Sequence, residues 1–241
     1  MKPPQVRVPP ARSAVFEPLS AHSTYEEAVA RLGTAVRIGL LAPGTRLPPE
    51  RELAEQLGIS RSTLRQALST LTESGHLVAV RGRTGGTFVA ASPPIASREP
   101  FPLERWRELL DWRVAIELGA VQLAAERAGD DDVTRLREAL AGLERTVDSD
   151  YPTYRRADIA LHLAVAEASG SRRVVAAMTG IHGDVSDLLD RIAYPSPARH
   201  HANEQHGRII TAVEAHDAPA AVASMREHID GTEQILAGLL P

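Results

Sequence analysis

Four prolines within twelve residues, in "ASPPIASREPFP" at 91–102, limit the possible folds of this chain more than any other stretch. Proline cannot continue a helix interior or donate to a central sheet ladder, so no regular element runs through this segment. It reads as a linker over 92–102, and it divides the 241 residues into a smaller front region, 23–91, and a larger back region, 103–238. Residues 1–22 hold five more prolines without sustained periodicity and read as a disordered, proline-rich arm.

The two regions differ in charge. Residues 1–98 carry 12 Lys and Arg against 7 Asp and Glu, a balance of +5, while residues 99–241 carry 15 against 24, a balance of −9. A basic front and an acidic back suggest that the front meets a polyanion. The chain has no cysteine, which excludes disulfides and thiolate metal sites. No apolar run reaches the length of a membrane span, and "MKPPQVRVPP" lacks the apolar core of a signal peptide. A cytoplasmic protein with no membrane partner is therefore expected.

Along the front region the apolar spacing predicts three helices and a hairpin. Val29, Leu32, Val36 and Leu40 form one stripe of a helix over 24–40, followed by "APGTRLPPE" as a turn. "ERELAEQLG" is a short helix that Gly58 can end in a left-handed conformation. Ser60 is a natural N-cap for "RSTLRQALSTLTESG", with Leu64, Ala67, Leu68 and Leu71 facing inward. "HLVAVRG" and "GTFVAA" then alternate as strands around a basic, glycine-rich tip, Arg81, Gly82, Arg83, Thr84, Gly85 and Gly86.

Two short helices around a tight glycine turn form the helix-turn-helix pattern, whose second helix enters the major groove of DNA. Ser60, Arg61, Ser62, Thr63 and Arg65 crowd the first turns of that helix, where guanidinium groups suit guanine and hydroxyls suit phosphates or base edges. Arg51, near the start of the preceding helix, is placed to reach the backbone or an adjacent base. The stretch "APGTRLPPERELAEQLGISRSTLRQALSTLTESGHLVAVRGRTGGTFVA" resembles the DNA-binding domain of the GntR family of bacterial transcriptional regulators. The resemblance implies a winged helix-turn-helix with DNA contacts from Arg51, Arg61, Ser62, Thr63 and Arg65, and from the wing around Arg83 and Gly85. One departure stands out: Pro49 occupies the place where the family usually has a capping Ser, which leaves the "ERELA" helix without a capping oxygen.

The back region reads as almost entirely helical, with helices over 102–128, 131–147, 151–169, 171–192, 200–215 and 218–238, starts near Asp130, Ser149 and Asp217, and an interruption at "AYPSPARHH". In "DIALHLAVAEASG" Asp158 and His162 share a helix face at i, i+4 spacing among apolar neighbours. His206 aligns with Ile209, Ile210 and Val213, and His228 follows Val222 and Met225 at helical spacing. One carboxylate and three imidazoles suit a divalent ion such as Zn, Ni, Mn, Fe or Co; the alternative is a set of hydrogen-bonded core histidines. His22, His76, His182, His200, His201 and His216 read as exposed or cap-adjacent, without a role. Trp106 and Trp112 read as packing residues, and "GDDDV" at 129–133 as a helix start without chemistry.

The segments "LLDWRVAIELGAVQLAAERA", "RRADIALHLAVAEASGS", "NEQHGRIITAVEAHD" and "SMREHI" resemble the FCD ligand-binding domain of the FadR subfamily. The resemblance implies an all-α antiparallel bundle, so that the expected fold class is mainly α: a winged helix-turn-helix followed by an FCD-like bundle. It further implies a metal held by Asp158, His162, His206 and His228, and it points Arg113 toward the same cavity, where it would grip an effector carboxylate. An ion pair between Arg113 and Glu117 at i+4 is the competing reading. The implied protein is a ligand-responsive regulator, more often a repressor in this family. It would bind a pseudo-palindromic double-stranded operator as a homodimer and respond to a small organic acid. The rival readings are a regulator sensing the metal itself, a metallohydrolase fused to a DNA-binding module, which lacks a placed general base here, and an architectural DNA binder.

Overall fold

The structure is a computed structural model, and it describes residue 16 and residues 24–37, 39–82, 85–94, 103–189 and 194–239. Most of the expected arm 1–22, residues 95–102 of the linker, and Arg83 and Thr84 of the wing lie outside the described residues. The chain divides into two compact units, residues 1–99 together with 234–241, and residues 100–233.

In the first unit, α1 (Thr24–Arg37) lies against α3 (Arg61–Glu73), and α2 (Glu50–Leu57) packs on α3 as well. Leu32, Leu53, Leu57, Leu64 and Leu71 are fully buried between them, as the helical spacing of the apolar residues requires. Helix α2 begins at Pro49 with no side-chain cap, and it ends at Gly58, whose φ of 69° is left-handed. Ser60 caps α3 by accepting the Thr63 backbone N–H at 3.0 Å. The apolar stripe expected to carry the first helix to residue 40 stops at Arg37; Gly39, at φ 74°, turns the chain instead.

Strands β1 (Leu77–Val80) and β2 (Gly86–Val89) pair antiparallel, with Leu77 opposite Val89 and Val80 opposite Gly86. The segment read as a plain turn adds to this sheet: Arg46 bridges Phe88, and Leu47 N–H donates to the Thr87 carbonyl at 2.9 Å. A two-stranded hairpin alone is marginal in water, so this third segment gives the wing its support. The end of the chain also belongs to this unit. A Cβ on Gly33 would lie 2.0 Å from the Gly238 carbonyl oxygen, so the two helix backbones meet directly there.

The second unit is all helical: α4 (Leu103–Arg127), α5 (Asp130–Thr146), α6 (Tyr151–Ala168), α7 (Arg172–Leu189), α8 (Ser196–Glu214) and most of α9 (Ala218–Leu239). Helix α4 packs on α6, α7 and α8, while α5 packs on α6 and α8. The acidic run at 130–132 sits in the first turn of α5, where Asp132 accepts the Gly129 N–H at 3.0 Å and favours the positive end of the helix dipole. Asp150, one residue beyond the expected Ser149, caps α6 by accepting the Thr153 N–H at 2.8 Å. Helix α8 starts at Ser196 rather than at 200, because Pro197 sits in the first turn, where its missing N–H costs nothing. Trp106 is buried as expected, whereas Trp112 is 50% exposed and packs with only part of its surface.

Candidate functional site

On the outer face of α3, Arg61, Ser62 and Arg65 are exposed, and Thr63 is half-buried. Ser60 is occupied as a cap, with its Oγ also 2.7 Å from the hydroxyls of Ser62 and Thr63. Arg65 Nε donates to Glu50 Oε2 at 2.7 Å, in a pair whose side chains are 63% and 38% exposed. Such exposed pairs are worth little, so a phosphate or base can replace Glu50. Arg51 is almost free of its neighbour, with Nε 4.0 Å from Glu55 Oε1. Gly85 is set by packing, since a Cβ there would lie 2.3 Å from the Val80 carbonyl oxygen. This basic surface suits a polyanion, as the charge balance of the front region anticipates.

The second site lies inside the bundle, where α6, α8 and α9 bring Asp158, His162, His206 and His228 together, all buried. His162 Nε2 and His206 Nε2 stand 3.3 Å apart, and Asp158 Oδ1 is 3.6 Å from His206 Nε2 and 4.0 Å from His162 Nε2. One donor atom each from His162, His206 and His228 falls within 4.8 Å of the other two. Two nitrogens bound to one ion at ~2.1 Å stand about 3.0–3.4 Å apart, so the His162–His206 spacing fits shared coordination.

The electrostatics also fit. Burial pushes His206 down to about 3 and holds His228 well below the usual imidazole range, so both rings are neutral at ordinary pH, the form in which an imidazole can hold a metal. Burial alone would raise Asp158, but the Arg155 guanidinium and the neighbouring imidazoles hold its carboxyl below the usual range. Arg155 Nη1 bonds the other oxygen, Oδ2, which leaves Oδ1 facing the histidines.

Around these four residues lies a layer that orients them. Gln205 Oε1 sits 3.1 Å from His228 Nδ1, which directs Nε2 of that ring inward. Glu117, fully buried on α4, places Oε2 2.7 Å from His162 Nδ1 and accepts Arg113 Nε at 2.6 Å. The Glu117–His162 contact is at hydrogen-bond distance, although neither atom has a well-aligned partner. Burial opposes ionisation of Glu117, yet Arg113 and His162 keep it well below the carboxylate range. A carboxylate behind a metal-ligating histidine is a recurrent arrangement that fixes ring tautomer and direction.

His182 corrects the sequence reading. It is 1% exposed on α7, with its ring centroid 4.4 Å from that of His162 and its Nδ1 3.1 Å from Arg155 Nη2. His76 is buried too, with Nδ1 2.9 Å from Ser74 Oγ. Glu117, His162 and His182 form another close group, but the guanidiniums of Arg113 and Arg155 already face it, which disfavours a second cation there. Arg113 thus forms the ion pair that its spacing allowed, both partners nearly inaccessible. It also lines a small, partly open cavity beside Asp158 and His228, together with Arg155, Thr232 and the rings of Tyr151, Tyr154 and Tyr194.

The sequence reading passed over Glu117 as a site residue, and with it Arg155, Gln205 and the tyrosines. Arg155 stands three residues before Asp158, on the same helix face, and that spacing was the available signal. The others depend on contacts between helices, which spacing does not reveal.

Comparison with known proteins agrees with both units. Residues 24–89 match the family described as bacterial regulatory proteins, gntR family, and residues 108–231 match the FCD domain. The chain is 36% identical to a Mycobacterium gastri protein named as the HTH-type transcriptional regulator RmpR, over 68% of this chain and 62% of that one. It is 33% identical to an Escherichia coli K12 protein named for regulation of the L-lactate dehydrogenase operon, over 78% and 77% of the two chains. Among solved structures, E. coli McbR/YncC shares the fold at 23% identity and a TM-score of 0.50, covering 90% of this chain and 98% of that one. These relatives are named as regulators rather than enzymes. No helix among the described residues is long and apolar enough to cross a membrane. The chain belongs to the GntR family of DNA-binding transcriptional regulators, with a C-terminal FCD domain.

Proposed function

We propose that the chain is a repressor that binds a pseudo-palindromic operator as a homodimer and is released by a small hydroxylated carboxylate bound in the bundle. The observation that carries this reading is the convergence of Asp158, His162, His206 and His228, two of which, Asp158 and His228, line a cavity that two arginines also line. These four residues would hold a divalent ion of the Zn, Ni, Mn, Fe or Co group. When bound, the ion supplies a Lewis-acidic anchor for an anionic oxygen.

The chain's own residues would do the rest. Arg155 keeps Asp158 ionised and turned toward the histidines, Glu117 and Gln205 aim two of the rings, and the polar wall selects the effector. Apart from Val185 and Ala202, that wall offers charged, phenolic, hydroxyl or imidazole groups, so a fatty or purely aromatic acid would leave buried polar atoms unpaired. The E. coli relative is named for an L-lactate dehydrogenase operon, whose enzyme acts on an acid of the same chemical class. Arg113 would share the effector carboxylate with Arg155 while its Nε stays on Glu117.

In the head, Arg61, Ser62, Thr63 and Arg65 would enter the major groove, with Arg51 on the backbone and Arg81, Arg83 and Gly85 at the wing. One head reads a half-site, and two-fold symmetry doubles it. Effector binding changes DNA affinity only if the two states of the dimer bind the effector differently.

The test is melting of the metal-loaded protein against a panel of acids, together with retention of a duplex selected by the protein from a random pool. Stabilisation by L-lactate or related 2-hydroxy acids, with release of that duplex, supports the reading. Release by chelator alone with no response to any acid favours a metal sensor, and turnover of a panel member favours an enzyme.

A further inference from the structure

Arg46 has no part in the DNA contacts proposed above, yet its side chain engages the wing at Gly85, Gly86 and Phe88. It lies in the segment between α1 and α2, where Gly44 N–H donates to the Val89 carbonyl and Val89 N–H to the Thr45 carbonyl, at 3.0 and 2.8 Å. From this bridging segment its guanidinium passes alongside the hairpin. Nη2 donates to the Gly85 carbonyl at 2.5 Å, and Cζ lies 5.8 Å from the centroid of the Phe88 ring. A Cβ on Gly86 would stand 2.9 Å from Arg46 Nε and 3.3 Å from Nη2. The glycine at the root of the wing therefore leaves the slot through which the arginine reaches Gly85, a reason for glycine there that does not involve DNA.

We propose that Arg46 is a positioning residue that fixes the attitude of the wing tip, so that Arg81 at the end of β1 meets DNA, and that it acts on DNA affinity through Arg81. The fork shape of guanidinium is needed for this. One nitrogen reaches the Gly85 carbonyl while the centre of the group stays within cation–π range of the Phe88 ring, an arrangement that the extended, planar guanidinium suits better than a compact ammonium. The hairpin has only two strands and ends in a glycine-rich tip, so it lacks the stiffness to hold that attitude by itself. The proposal rests on the reading of the wing as a DNA-contacting element.

Arg46 is exposed, and its rival role is a direct phosphate contact. The two roles separate experimentally in the full-length protein, using a duplex that the wild type selects from a random pool. If Arg46 positions the wing, Arg46→Ala weakens binding by about tenfold, and Arg46→Lys does not restore it. Arg81→Ala, which costs several-fold in the wild type, then costs less than about twofold in the Arg46→Ala background. Without DNA, the Leu47 and Val89 amides exchange faster in both Arg46 variants, because their ladder loosens. Additive losses, full rescue by Lys and unchanged amide exchange would overturn the proposal in favour of a phosphate contact. Unaltered binding by Arg46→Ala would overturn it as well. Should Arg81→Ala alone have no effect, the wing reading itself fails, an outcome distinct from additivity.

Discussion

Arg61 and Arg65 stand on the outside of the head, whereas Arg113 and Arg155 are buried in the bundle, and the two pairs are held in different ways. Arg65 leans on Glu50 in a pair open to water. Arg113 is closed against Glu117, and Arg155 is tied to Asp158, His182 and Ser186 at once. An exposed pair contributes ~0–1 kcal/mol and gives way to a better partner. Removing one member of a buried pair costs ~3–5 kcal/mol, because the other charge is left without compensation. The head therefore keeps its charges available for an external polyanion. The bundle neutralises its own charges and turns only a few ligand atoms toward the cavity.

The largest test of that contrast removes two imidazoles. His206→Ala together with His228→Ala should reduce bound divalent metal from one ion per chain to none, measured by elemental analysis after gel filtration. Binding of the metal-free protein to DNA should change little. Retention of stoichiometric metal would rule out this ligand set.

A smaller loss is expected one layer out. Glu117→Gln keeps the volume but weakens the acceptor behind His162, and metal affinity should fall about 10–100-fold in a competition titration with a chromophoric chelator. In the head, Arg61→Ala should weaken specific DNA binding by ~1–3 kcal/mol, read by fluorescence anisotropy, without altering metal content. A metal defect in that variant would break the separation between the two units.

Acidification provides the mildest probe. The folded-state pKa of His206 lies at about 3, below its unfolded value of 6.5, so the unfolded chain binds the proton more readily. The metal-free protein should therefore be fully stable in this respect above pH 6.5 and lose stability as pH falls from there toward 3. The slope from His206 alone approaches ~1.4 kcal/mol per pH unit. His182 and His228 are lowered by burial in the same direction, and in the head His76 is lowered by burial as well. Thermal melts at stepped pH should show helical signal from the bundle lost before the wing's amide protection. Loss in the opposite order would contradict the comparison.

Much of this contrast was legible in the sequence, for physical reasons that differ between the units. The head is built from local signals: Ser60 as a cap, Gly58 as a left-handed stop and an apolar stripe on α3 each act within a few residues. Spacing of four residues was also enough to put Asp158 and His162 on one face. It did not reveal that His182 faces the same interior, because that depends on how α7 rotates against α4 and α6. Glu117 was visible only as a partner for Arg113, and its approach to His162 needs two helices to cross. Arg46 was hidden in a run that looked like a turn, since a single bridge to Phe88 leaves no alternation to read.

X-ray absorption spectroscopy on the protein loaded with one equivalent of Zn²⁺ or Ni²⁺ tests the central claim most directly. Asp158, His162, His206 and His228 predict a first shell of nitrogen and oxygen only, with the outer-shell signature of three imidazoles, and loss of that signature in the His206→Ala, His228→Ala variant. A shell with one imidazole or none, or an unchanged spectrum in the variant, would place the ion elsewhere and contradict the account.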